Sequence, residues 1–277
     1  MSIVCTFLEQ NAQNLIINSK YTIISSIAEV TMAFKDRENG ILEYLAENRQ
    51  ASVEELCAKF FVSAPTIRRD LKALEREGKI IRTHGGAYLH SLPGESIPQE
   101  LREKEYVAEK DIIAKKCLDL IKDGDSIMID ASSTCFQLLN QLSTKNSIVV
   151  ITTSTKAPFV SAKSAAKIYV SGGEVSKTSF SYIGSFAEEF IRKFNADICF
   201  FSVCALSPNG TLSNNSTSEN QIGKIMLEQS KKAVLLLNSQ KVIEPKLNTL
   251  CTLKDVDLVV SEKDISHLFP EHKEKFI

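Results

Sequence analysis

Ser63-Ala64-Pro65-Thr66-Ile67-Arg68-Arg69-Asp70-Leu71-Lys72-Ala73-Leu74-Glu75-Arg76-Glu77-Gly78 is the stretch around which the rest of the sequence falls into order. Ser63 is a favoured N-cap, and Pro65 is tolerated in a first turn, where its missing N–H has no helical partner. Ile67, Leu71 and Leu74 recur at i, i+4 and i+7, which predicts one buried stripe on a helix over 64–77. The other face carries Thr66, Arg68, Arg69, Lys72 and Arg76, and Gly78 supplies the stop.

Upstream, Ser52 and Glu55 form an S-x-x-E capping box for a helix whose Val53, Leu56 and Phe60 point inward. Phe61-Val62 is the turn into the basic helix. A further helix is expected over 37–48, with Ile41, Leu42 and Leu45 on one face. Downstream, Gly85-Gly86 sits between Lys79–Thr83 and Ala87-Tyr88, a hairpin signal and so a wing. Two short helices with a tight turn, the second basic and outward-facing, suit a major groove. Charge agrees: between Lys59 and His84 stand seven Lys/Arg and three acids (Asp70, Glu75, Glu77), in a chain of net charge −1. The candidate DNA-contacting residues are Ser63, Thr66, Arg68, Arg69 and Lys72, with Arg82, His84, Gly85 and Gly86 on the wing.

The chain has 277 residues, 43% hydrophobic and 24% charged, which suits two domains and excludes wholesale disorder. No apolar run approaches the roughly 18 residues that span a membrane, and Met1–Glu9 lacks a basic n-region, so a cytoplasmic protein is expected. Seven scattered Cys and four His show no metal-ligand spacing; neither a metal nor a cofactor is expected, and Cys199 and Cys204 are read as packing residues. The reading divides the chain into an extension over 1–34, a winged helix-turn-helix domain over 35–90 with the motif proper at 52–71, a linker over 91–109, an α/β domain over 110–264 and a tail over 265–277. Residues 1–31 have no periodic apolar face and are expected to be dispensable, an addition to the natural product.

Beyond 110, β-branched runs at 126–129, 148–152, 167–170, 198–203, 233–237 and 258–260 alternate with helical patterns, which argues for a largely parallel sheet. Several runs end in small polar loops: Asp130-Ala131-Ser132-Ser133-Thr134, Thr152-Thr153-Ser154 and Ser171-Gly172-Gly173-Glu174. Loops of this kind at strand C-termini converge on one crevice in open α/β sheets, and a hydroxyl-rich strand-to-helix turn offers N–H groups to an anion. Glu219, Lys224 and Lys241 lie in later polar segments, and either lysine near such a crevice is a candidate partner for a phosphate.

The strings Thr66-Ile67-Arg68-Arg69-Asp70-Leu71 and His84-Gly85-Gly86-Ala87, at this separation, resemble the DeoR family of bacterial transcriptional regulators. The resemblance extends over roughly 35–264. It implies a repressor of sugar or nucleoside metabolism genes, with double-stranded operator DNA and a phosphorylated sugar as partners. It also implies a sensor similar to the ribose-5-phosphate isomerase fold. Asp130, Ser132, Ser133 and Thr134 match the family's phosphate loop, Arg102 and Lys110 its stretch leading into the sensor, and Gly172, Gly173, Gly184, Glu219, Lys224 and Lys241 further family positions. Thr153 stands where the family has Asn, Asn238 where it has Asp, and Val203–Leu206 where it has a glycine-rich strand end. The candidate effector site is therefore Asp130, Ser132, Ser133, Thr134, Thr153, Ser154, Gly172, Gly173, Glu219, Lys224 and Lys241.

Two other readings stay open: a DNA-binding protein whose α/β domain only oligomerises, and a sugar-phosphate isomerase. Isomerisation needs a positioned base. The isomerases carry acids where this chain has Cys204-Ala205-Leu206-Ser207-Pro208-Asn209, so no enzyme is expected. One helix-turn-helix unit buries little DNA-facing surface, so a homodimer or homotetramer is expected.

Overall fold

The computed structural model describes residues 36–83, 85–89, 99–142, 145, 147–161 and 165–277. The extension over 1–34, His84 and residues 91–98 of the expected linker lie outside them, and the rest of that linker is largely helical, with one helix over Gln99–Lys104 and another starting at Val107. The chain divides into two compact units after Ser91.

The first unit runs α1 (36–48), β1 (Gln50–Ser52), α2 (Val53–Phe60), α3 (Ala64–Arg76), β2 (Ile80–Arg82) and β3 (Gly86–Leu89). The capping box forms: Ser52 Oγ accepts the Glu55 N–H at 3.0 Å, and Glu55 Oε2 accepts the Ser52 N–H at 2.7 Å. Gly78, at φ +69°, ends α3. Its N–H reaches the Glu75 carbonyl and the Lys79 N–H reaches that of Leu74, which satisfies two terminal acceptors. Ile41, Leu45, Leu56, Ile67, Leu71 and Leu74 are buried together as the shared core. The wing holds a strand the sequence did not announce. β1 pairs antiparallel with β3, which pairs with β2. Gly86 makes this possible, because a Cβ there would overlap the Ala51 carbonyl oxygen.

Asp70 also departs from expectation. It is not one of the surface acids beside the basic face but is fully buried, and Arg37 Nε from α1 meets its Oδ2 at 2.5 Å.

The second unit runs α4 (Gln99–Lys104), α5 (Val107–Leu118), β4 (Ser126–Ile129), α6 (Ser133–Gln141), β5 (Val149–Thr152), α7 (Ala157–Ser161), β6 (Lys167–Val170), β7 (Glu174–Ser176), β8 (Ser181–Ile183), α8 (Ser185–Ile191), β9 (Ile198–Phe201), β10 (Ala205–Leu206), β11 (Thr211–Asn214), α9 (Thr217–Glu228), β12 (Ala233–Leu236), β13 (Asn248–Thr252) and β14 (Leu258–Val260). The six β-branched runs become one parallel sheet of order β14-β12-β9-β4-β5-β6. Both faces are covered. Ile127, Ile129, Val150, Phe200 and Leu236 pack under α5, α6 and α7. Met128, Ile151, Cys199, Phe201 and Leu235 pack under α8 and α9. The alternation is the strand period, and burial on both sides explains why the inner runs read as mostly apolar, whereas the edge strand β6 begins with exposed Lys167. The chain moves outward from β4 to β6 and then returns to β9 on the other side of β4. That reversal opens a crevice beyond the strand ends, where open α/β sheets bind ligands. A small antiparallel sheet of order β10-β11-β13 and the hairpin β7-β8 complete the unit. Among the described residues no helix is long and apolar enough to cross a membrane.

Candidate functional site

The basic face of α3 is built by its buried one. Ile67, Asp70, Leu71 and Leu74 point inward, which turns Arg68, Arg69, Lys72 and Arg76 to solvent. The Arg69 side chain is 69% exposed, with Nε 3.8 Å from Asp70 Oδ1. Ser63 sits at the N-cap position, but its hydroxyl pairs with that of Thr66 at 3.0 Å rather than with a backbone N–H. On the wing, Arg82 Nη1 lies 3.4 Å from Glu75 Oε2, and both side chains are accessible. Gly85 is exposed with open space around it, whereas Gly86 is buried against β1. Phe61 ends α2 at φ +53° and is 93% exposed; the sequence placed the turn there but gave no sign of that exposure.

In the second unit a cavity of about 70 Å³ lies at the ends of β4, β5 and β9. Asp130, Ser132, Thr153, Glu219 and Lys241 from the sequence reading line it. Asp130 is fully engaged by the backbone: Oδ1 accepts the Ser132 N–H and Oδ2 the Ser202 N–H, both at 2.8 Å. Its side chain ties the β4 end to the β9 end. Ser132 Oγ caps α6 by accepting the Cys135 N–H at 3.2 Å. Ser133 and Thr134 are buried behind it and do not line the cavity. Thr153 Oγ1 accepts a 3.4 Å hydrogen bond from Ser181, and Glu219 Oε1 accepts one from Ser176 at 3.3 Å.

Other candidates stand apart. Ser154 is buried in its own turn, where its Oγ accepts the Lys156 N–H at 3.3 Å. Gly172 and Gly173, at φ +70° and +117°, turn the chain from β6 into β7. Lys224 is exposed on α9 and does not line the cavity. Asn238 is buried and caps the turn that follows it by accepting the Gln240 N–H at 2.9 Å, which holds Lys241 in place.

The cavity also takes in residues that local sequence chemistry did not single out. Arg102 of α4 lines it, and its Nε is buried with no hydrogen-bond partner among the described residues. Lys241 Nζ donates to Ser202 Oγ at 3.0 Å. Burial pushes this ammonium below the ordinary lysine range, and neighbouring Arg102 pushes it in the same direction. Lys110 is buried behind them and donates to the carbonyls of Arg102 and Glu105. Burial, then Lys241, pushes it down to about 8. Arg102 and Lys241 thus stand together in the cavity with Lys110 behind them, and their mutual repulsion disfavours the charge of both lysines. An anion placed there relieves both the repulsion and the lost solvation. Phe201, Val203, Cys204, Met226 and Leu250 make the remaining wall apolar. Ligand pockets usually measure roughly 300–1,000 Å³. The present cavity admits a small anion, and a larger ligand needs its walls to part.

Comparison with known proteins follows these two sites. Residues 37–91 match the DeoR-like helix-turn-helix domain, and residues 105–263 match the DeoR C terminal sensor domain. The chain is 29% identical over 232 residues to the HTH-type transcriptional regulator GolR of Listeria innocua, covering 83% of this chain and 91% of that one. It is 28% identical over 229 residues to the glycerol-3-phosphate regulon repressor of Escherichia coli K12, covering 82% and 90%. A D-ribose-5-phosphate isomerase in complex with phospho-erythronic acid aligns with 48% of this chain and 53% of its own at 18% identity and a TM-score of 0.37, a distant likeness.

Proposed function

Because the chain belongs to the DeoR family of transcriptional regulators, we propose that it represses carbohydrate-metabolism genes in the cytoplasm by holding operator DNA. Uptake of a phosphorylated sugar by its second unit releases the DNA. In this reading α3 enters the major groove, with Arg68, Arg69 and Lys72 toward the DNA and Arg82 on the flanking backbone. The protein acts as a homodimer or homotetramer, since paired half-sites need paired helices.

One observation carries the effector reading: Arg102, whose buried Nε has no hydrogen-bond partner among the described residues, lines the same small cavity as Lys241. Desolvated cations without a full complement of acceptors are costly unless an anion completes them. A phosphate satisfies both, with the Ser132 turn at the α6 N-terminus completing the cradle. The name of the Escherichia coli relative points to a phosphate ester as well. An isomerase reading finds less support. The β9 end carries no carboxylate, and both oxygens of Asp130 are occupied by backbone N–H groups.

The test is thermal melting of the full chain against phosphorylated sugars and their unphosphorylated parents. A ligand of the native state raises Tm by mass action. The phosphorylated form alone should do so, and Arg102→Met should reduce the rise sharply while leaving it measurable. Equal shifts with the parent sugars overturn the phosphate reading. Light scattering that shows a monomer at micromolar concentration, with DNA present, overturns the assembly.

A further inference from the structure

We infer that Lys156 and Glu103 form a latch that positions Arg102 in the cavity; the inference rests on the cavity being the effector site. α4 is only six residues long, and so short a helix has too few internal hydrogen bonds to hold itself in water. It must be fixed by what it touches. Glu103, the residue after Arg102, receives Lys156 Nζ on both carboxylate oxygens, at 2.7 and 2.8 Å. Both side chains are only 23% exposed. Gln99, buried one turn earlier, adds a hydrogen bond to Glu103 Oε1 at 3.1 Å. Its own N–H donates to the Thr178 carbonyl at 2.8 Å.

Lys156 is itself held from three sides. Its N–H is bound by Ser154 Oγ, and the preceding Thr155 donates both N–H and hydroxyl to the Phe180 carbonyl. Its ammonium lies 5.0 Å from the centre of the Phe180 ring and 5.5 Å from that of Phe136. Cation–π contact with two rings and a two-oxygen ion pair in a half-buried place make this contact stronger than a surface pair. The latch therefore joins α4 to α6, to the loop after β5 and to the turn between β7 and β8. Lys110, bound to the Arg102 carbonyl, fixes the same residue from its backbone side. Lys156 and Glu103 touch no cavity atom in this scheme; they act through Arg102.

The experiment is a cycle on the full chain. Glucose 6-phosphate and inorganic phosphate are titrated calorimetrically into the natural protein, Lys156→Met, Lys156→Arg, Arg102→Met and the double variant Arg102→Met/Lys156→Met. Lys156→Met should weaken binding about tenfold, a factor worth about 1.4 kcal/mol. Lys156→Arg should keep most of the affinity, since a guanidinium also spans a carboxylate and stacks on rings. In the Arg102→Met background the Lys156→Met change should have no further effect, because nothing is left to position. A general structural role predicts the same loss in both backgrounds, and that outcome overturns the latch. Amide exchange over 99–104 gives an answer independent of any ligand. Lys156→Met should speed it at least tenfold, and unchanged protection overturns the inference. If neither probe binds the natural protein while α4 exchange still responds, the effector reading falls and the latch stands.

Discussion

Replacing Arg37 with Met should destabilise the first unit far more than an ordinary surface substitution. Asp70 is fully buried in the core face of α3, and its Oδ2 meets Arg37 Nε at 2.5 Å. Its Oδ1 makes no hydrogen bond among the described residues; Arg69 Nε stands 3.8 Å away on a side chain 69% exposed. The pairing raises the Arg37 guanidinium above its ordinary range, chiefly through the hydrogen bond to Asp70. Removing one partner of a buried pair leaves an uncompensated charge and costs about 3–5 kcal/mol. Arg37 keeps 16% of its side chain exposed, so water can partly replace it, and the loss should fall near the lower figure, about 3 kcal/mol. A domain of this size has about 5 kcal/mol to lose, and a urea slope of about 1 kcal/mol per molar turns 3 kcal/mol into a midpoint shift of about 3 M. Urea unfolding followed by hydrogen exchange at the Ile67, Leu71 and Leu74 amides isolates this unit from the second. The double variant Arg37→Met/Asp70→Leu should return to within about 1 kcal/mol of the natural protein, because replacing both members of a pair with apolar groups is often neutral. If Arg37→Met shifts stability by less than about 0.5 kcal/mol, the pair is no more than a surface contact and the reasoning fails.

Three further outcomes are expected. Arg68→Ala and Arg69→Ala should each weaken DNA binding and, where the contact is to phosphate, flatten the salt dependence by about one; a doubly substituted, folded chain that keeps full affinity would sink the docking of α3. Cys204→Gly removes a side chain from the cavity wall, at a strand end where the family resemblance implies glycines, and calorimetry should find tighter glucose 6-phosphate binding at a stability cost of about 0.5–1 kcal/mol; unchanged affinity would mean that the wall does not limit access. Lys110 holds its proton only up to about 8 in the folded chain but to about 10.4 in the unfolded chain. The unfolded state therefore binds more protons at this residue between these values, so stability should rise more steeply with pH across that window than in Lys110→Met, where Lys241 and the buried thiols still titrate. A natural protein whose melting temperature shows no Lys110-dependent rise in this range would contradict the buried-cation reading.

The parts of the fold that the sequence announces are those whose local chemistry and burial agree. The six parallel strands are visible because coverage of both faces leaves their runs mostly apolar, with polar residues such as Ser126, Thr152 and Lys167 only at the ends. The capping box at Ser52 and the stop at Gly78 are visible because backbone groups at helix ends demand particular side chains. β1, β7, β8, β10 and β11 are not visible. They span two to four residues, several of them polar, and exist only because β3, the hairpin partner or β13 lies beside them. Asp70 is a similar case, since nothing in its neighbourhood in the sequence distinguishes an acid on the helix surface from one turned inward to meet Arg37, 33 residues away.

The cavity divides along the same line. Its strand-end residues Asp130, Ser132 and Thr153 come from loops that carry their own signal, whereas Arg102 has none. It sits on a short helix whose position is set by Glu103, Lys156 and Gln99, and only the family resemblance marked it in advance. Lys224 shows the converse. Ile222, Ile225 and Met226 define the buried face of α9, and a residue two positions after Ile222 falls about 200° round the helix from it, so periodicity alone could have set Lys224 outside the cavity. The topology explains why the differences between the sequence reading and the cavity lining concentrate on charge. At the switch point between β4 and β9 the sheet supplies backbone N–H groups and one fixed carboxylate. The cations must then come from distant parts of the chain, Arg102 and Lys110 before the first strand and Lys241 after β12. On the proposed reading, a crevice assembled from both ends of a domain in this way takes an anion only when the whole domain is folded around it. Its recognition therefore depends on long-range positioning, of the kind that Lys156 and Asn238 provide, as much as on the groups that meet the ligand.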